Sequence, residues 1–143
     1  MLLDPHDPLL AHAHERLHAE PVIWLATSRP HAVPVWFRWS DPTVTVFSRP
    51  DTAKVAHLRR DPAVALHLDT AAYGTDVVLL EGQAEVDGRP VGEDAFADKY
   101  AAMLGEQSFA SWRETFSLAV TIVVRRLVVW RAGADGLEHR SVP

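Results

Sequence analysis

Cysteine is missing altogether from this 143-residue chain. Its absence excludes a disulfide scaffold, thiolate catalysis and zinc sites built on thiolates. Long apolar runs are missing too, since none approaches the roughly 20 residues of a membrane-spanning helix. The opening Met1-Leu2-Leu3-Asp4-Pro5 has no basic segment followed by an apolar stretch, so a cytoplasmic protein with no membrane partner is expected. Positive charge is scarce: the formal net charge is −5, with two lysines, Lys54 and Lys99, and twelve dispersed arginines. Nucleic acids recruit basic faces, so no nucleic-acid partner is expected and small molecules are the natural ligands. Repeats, low-complexity tracts and an obvious linker are also lacking.

What is present suffices for a core. With 48% hydrophobic residues, a chain of this length is expected to form one domain over residues 1–143, with an N-terminal helix within residues 1–20. Asp7-Pro8 starts that helix, Leu10, Ala13 and Leu17 share a face, and Pro21 ends it. Strand-like runs follow at Val22–Thr27, Val33–Trp39 and Thr43–Ser48, separated by Arg29-Pro30-His31 and Asp41-Pro42. In the third run Val44, Val46 and Ser48 alternate with Thr43, Thr45 and Phe47, which predicts one core face.

The segment after that run is the most informative. Ser48-Arg49-Pro50-Asp51-Thr52-Ala53-Lys54 joins a strand end to a helix start, where hydroxyls, a guanidinium, backbone N–H groups and an ammonium converge on an anion. Val55 and Leu58 set a helix of about two turns, which Asp51 or Thr52 would cap and Asp61-Pro62 would stop. Further strands are expected at Ala63–Leu68, at Asp76–Val86 with a bulge at Gly82, and at Leu118–Trp130 with a bend at Arg125-Arg126. Val91–Leu104 reads as a helix with Phe96, Tyr100, Met103 and Leu104 near one face, and Ala134-Asp135-Gly136 as a tight turn. Six or so strands with peripheral helices predict a mainly β, α+β small barrel rather than a sandwich.

Several catalytic motifs are excluded. His14-Glu15-Arg16-Leu17-His18 matches H-E-x-x-H literally, yet Pro21 stops its helix within a turn and no third-ligand helix follows. It reads as a histidine-rich surface helix, and no metal site is expected. No serine sits in G-x-S-x-G. Glu93-Asp94 and Asp98 read as solvating charges on a helix face.

The ordered set Trp24-Leu25-Ala26-Thr27, His31-Ala32-Val33-Pro34-Val35-Trp36-Phe37, Val46-Phe47-Ser48, Lys54 and Leu58-Arg59-Arg60-Asp61-Pro62 resembles the pyridoxamine 5′-phosphate oxidase-like superfamily over nearly the whole chain. Within it, the nearest similarity is to the actinobacterial branch that uses the deazaflavin coenzyme F-420. The resemblance implies an FMN-binding-like split β-barrel and a homodimer with cofactor sites at the subunit interface. Val33, Pro34, Val35 and Trp36 would line the tricyclic ring, and Ser48, Arg49, Thr52 and Lys54 would hold the phosphate arm. The implied activity is an F-420-dependent oxidoreductase that exchanges hydride with a small organic substrate. The alternatives are FMN as cofactor, or a non-enzymatic carrier of a flavin or tetrapyrrole-sized ligand. Ala32 and Phe37 stand where the oxidase proper has arginine and lysine, and its C-terminal Arg-Leu-His-type motif is missing, so vitamin B6 oxidation is not expected. Catalytic residues are not assigned. His67, Tyr73 and Trp112 are candidates on the substrate side, each equally accounted for by packing.

Overall fold

The computed structural model describes residues Met1–Pro143. Helix α1, Pro8–Ala19, starts where the Asp7 carboxylate accepts a hydrogen bond from the Leu9 N–H and Pro8 fills the first position, which needs no donor. Its Leu10, Ala13 and Leu17 stripe is buried. The chain continues through β1 (Ile23–Thr27), β2 (His31–Val35), β3 (Arg38–Ser40), β4 (Thr43–Ser48), α2 (Ala53–Arg60), β5 (Ala63–Leu68), β6 (Asp76–Val86), α3 (Glu93–Leu104), α4 (Phe109–Thr115), β7 (Leu118–Gly133) and β8 (Gly136–Val142).

The strands form one antiparallel sheet in the order β2-β1-β5-β6-β7-β4-β3, with β8 added to β7. This order dictates curvature. β2 and β3 lie at opposite ends of the path yet are joined by Trp36 and Phe37 alone. Three Cα steps reach at most about 11 Å, whereas seven flat strands would set the two edges roughly 29 Å apart. The sheet therefore curls until its edges nearly meet, giving a split half-barrel around Leu25, Leu66, Leu80, Ile122 and Leu127, all buried.

The expected single strand Val33–Trp39 is thus two strands broken at the seam. Phe37 leaves the hydrogen-bond ladder, and α3 supplies its missing partners. The Tyr100 hydroxyl accepts from the Phe37 N–H at 2.8 Å and donates to the Pro21 carbonyl at 2.6 Å, while Lys99 Nζ donates to the Phe37 carbonyl at 3.0 Å. Buried backbone groups require such partners.

Other expectations are refined. β7 runs unbroken through Arg125-Arg126, and the bend is a register slip: Glu81 pairs with Arg126 and Gly82 with Val124, leaving Arg125 as the extra residue. Gly82 is required there, because an added Cβ would lie 2.4 Å from the Val123 carbonyl oxygen. β4 is buried on both faces, since α3 and α4 cover the Phe47 side. Thr52 occupies the N-cap of α2 but makes no side-chain capping bond. Met103 is exposed rather than packed with Phe96 and Tyr100. α4 and β8 were not expected as separate elements. The first is short, and the second is exposed along almost its whole length, without apolar alternation. No helix is long and apolar enough to cross a membrane.

Candidate functional site

A cavity of about 240 Å³ opens beside the seam, lined by Pro34, Val35, Trp36, Phe47, Lys54, Trp112 and Phe116. Its wall follows from the fold. Where β2 ends, Trp36 turns toward the helices and stacks on Tyr100, with centroids 4.4 Å apart and planes 6° from parallel, and on Trp112 at 5.6 Å. Trp112 stacks in turn on Phe116 at 4.6 Å and meets Phe47 edge-on. Arg113 braces this wall: its guanidinium lies 4.2 Å from the Phe47 ring centroid, pairs with Glu93 at 2.8 Å and donates to the Phe116 carbonyl. A flat, rigid, apolar surface of this kind suits a planar aromatic ligand.

The other end of the cavity is cationic. Lys54 lies in the first turn of α2, half-buried, and its Nζ donates to Thr52 Oγ1 at 3.4 Å. It enters no ion pair. Burial lowers its pKa from the ordinary lysine value, which is the expected response of an ammonium that lacks a counter-charge. The uncapped start of α2 adds its partial positive charge at the same place. Arg49 sits at the rim, with its guanidinium 5.5 Å from the Phe116 ring centroid. Lysine, arginine and a helix start together can neutralise a phosphate.

The eight expected ligand residues do not all meet at one place. Pro34, Val35, Trp36 and Lys54 line one cavity. Thr52 contacts Lys54, and Ser48 lies behind it, buried, with its Oγ 3.2 Å from Thr52 Oγ1 and donating to the Arg49 carbonyl. Ser48 thus shapes the turn. Val33 pairs with Leu25 one step along β2 and does not reach the cavity. Phe47, Trp112 and Phe116 were not among the expected ligands. Phe109, Trp112 and Phe116 do recur at helical spacing, a signal available in the sequence.

Of the substrate-side candidates, Trp112 alone lines the cavity. His67 stacks on Trp24 on the outer sheet face, and Tyr73 is fully exposed in a left-handed turn. A second hollow of about 420 Å³ lies over the Gly82 bulge, but it has no aromatic wall, and of its three charges Glu81 and Arg126 pair with each other while Arg125 enters no ion pair. The two histidines of H-E-x-x-H face each other. Trp39 Nε1–H donates to His14 Nδ1 at 3.2 Å, so the His14 proton sits on Nε2, 3.0 Å from His18 Nε2.

The family model described as pyridoxamine 5′-phosphate oxidase matches residues 9–128. No curated protein matches the chain. Among solved structures, a conserved hypothetical protein from Mycobacterium tuberculosis is 26% identical, with a TM-score of 0.69 over 93% of this chain and 91% of that one. A putative pyridoxamine 5′-phosphate oxidase from Listeria innocua is 18% identical, with a TM-score of 0.61 over 83% of this chain and 95% of that one. An FAD-binding protein from Mesorhizobium loti is 20% identical, with a TM-score of 0.58 over 82% of this chain and 88% of that one. The last two likenesses concern the fold alone.

Proposed function

The chain belongs to the pyridoxamine 5′-phosphate oxidase family, and on that premise we propose that its aromatic cavity binds a phosphate-bearing flavin or deazaflavin and that the protein is an oxidoreductase acting on a small organic substrate. The observation that carries this reading is Lys54, a half-buried ammonium without a carboxylate partner at one end of a cavity whose other walls are aromatic. A cation in that setting is complemented by a bound anion.

When bound, such a cofactor supplies the hydride chemistry. The protein's part is to bind, orient and exclude water. Trp36, braced by Tyr100 and Trp112, would present a flat face to the ring. Lys54, Arg49 and the start of α2 would hold the phosphate. No side chain is assigned a proton-transfer role.

The cavity is small for a tricyclic ring, since ligand sites commonly enclose about 300–1,000 Å³. A second copy of the chain would complete it. Pro34 belongs both to the cavity and to an outer row that crosses the sheet through Trp24, His67, Leu79 and Val128, with Ala32, Ala26 and Ala65 alongside. This partly exposed apolar face runs continuously into the cavity mouth, which favours a homodimer whose sites lie at the interface.

Family membership favours FMN, and the sequence resemblance favours F-420 for the same cavity. Equilibrium titration with each, followed by tryptophan quenching, separates them. Trp36 and Trp112 are the reporters, because Trp24 lies on the outer face and donates to Asp69 at 2.7 Å. Saturable quenching by one cofactor supports the reading, and quenching by neither overturns it. Hydride transfer to an electron-accepting substrate then distinguishes an enzyme from a carrier.

A further inference from the structure

On the other side of the Trp36-Phe37 link from the aromatic cavity, α1, β3 and α3 enclose an open hollow of about 450 Å³ lined by His18, Arg38, Ala95, Asp98 and Lys99. Its donors outnumber its acceptors. Arg38 Nη1 donates to the Trp39 carbonyl, but Arg38 Nε is buried without an acceptor, and the guanidinium enters no ion pair. Lys99 Nζ gives one hydrogen bond to the Phe37 carbonyl and lies 3.8 Å from the Phe37 ring centroid, with no carboxylate bonded to it.

The histidine chain adds a third donor. Because Trp39 fixes the His14 proton on Nε2, His14 donates to His18 Nε2, and the neutral His18 ring must carry its own proton on Nδ1. That N–H faces Arg38 Nη1 at 3.4 Å, donor against donor with no acceptor between them. Glu20, whose charge acts on Lys99, is already paired with Arg16 at 2.6 Å, and Asp98 is exposed and bonded to none of the three.

We propose that this hollow is a second anion site, for a phosphate group held by Arg38, Lys99 and His18. A phosphate oxygen placed between His18 and Arg38 would turn a donor–donor contact into two charge-assisted hydrogen bonds. Its planar fork suits Arg38 to phosphate, and the free N–H groups of Lys99 supply a point charge. The groups facing the site are His14, His18, Glu20, Arg38, Asp98 and Lys99. Burial and the neighbouring cations hold the His18 and Lys99 pKa values below their ordinary values, so a bound dianion would raise both.

The test is an NMR titration of the His18 ring with inorganic phosphate, in a Lys54→Ala background so that the cofactor cavity cannot supply the response. Saturable shifts at His18, with a raised His18 pKa and weaker effects from acetate, are expected. His18→Gln, read through Lys99, and Lys99→Met, read through His18, should each weaken phosphate binding on the order of tenfold. Both variants are needed because Lys99 also supports the seam, whereas His18 projects from an already formed helix. An unsaturable response, one that chloride reproduces, or one that both variants leave unchanged would overturn the site. Failure here leaves the cofactor reading intact, since that rests on Lys54 and the aromatic wall.

Discussion

Trp36 and Tyr100 lie face to face, 4.4 Å between centroids and 6° from parallel, and the same tyrosine hydroxyl accepts from the N–H of the next residue, Phe37. One side chain of α3 therefore sets the plane of a cavity wall and closes the barrel seam. Tyr100→Phe keeps the stack but leaves the buried Phe37 N–H without its acceptor. It is expected to lower stability by about 2–3 kcal/mol in chemical denaturation. Wild-type stability in the variant would detach the hydroxyl from the seam.

Alkaline titration carries the same signature. Burial pushes Tyr100 up to about 12, and burial together with Arg38 pulls Lys99 down to about 8. From about pH 8 to 10.5 the unfolded chain holds the Lys99 proton more tightly than the folded one, so that group makes stability rise with pH. From about pH 10 to 12 the folded chain holds the Tyr100 proton more tightly, so that group makes stability fall. Denaturation midpoints across this range should lose the rise in Lys99→Met and the fall in Tyr100→Phe. A pH profile identical in all three proteins would contradict both assignments.

Lys54→Ala should weaken cofactor binding roughly tenfold to a hundredfold, the cost of about 1.5–3 kcal/mol for one charge-assisted phosphate contact. Thermal stability should hold or rise, because the removed ammonium has no counter-charge. Tryptophan quenching gives the affinity, and unchanged titration curves would place the phosphate elsewhere.

Gly82→Ala drives a Cβ to 2.4 Å from the Val123 carbonyl oxygen, and backbone cannot yield as a flexible side chain can. A loss of about 1–3 kcal/mol is expected by denaturation. A neutral substitution would mean that the bulge opposite Arg125 is loose.

His14→Ala combined with His18→Ala should leave cofactor titrations unchanged, and dialysed protein should carry no stoichiometric zinc. The Trp39 N–H on His14 Nδ1 is the reason. Zinc that survives dialysis and disappears in the double variant would restore the H-E-x-x-H reading.

Local pattern was enough for much of this molecule. Asp7-Pro8 marked α1, alternation marked β1 and β5, and Gly82 marked the bulge in β6, because caps, period-two burial and backbone freedom act over a few neighbouring residues. The strand-to-helix turn before Lys54 was likewise legible, since Ser48, Thr52 and Lys54 lie close together on one short segment. Only the tertiary structure decided the rest. The break at Trp36-Phe37 arises because two sheet edges, distant in strand order, must meet across two residues, and no local pattern encodes that closure. For the same reason Phe47, Trp112 and Phe116 become one wall, and His18, Arg38 and Lys99 one hollow, only after α1, α3 and α4 have packed against the curled sheet.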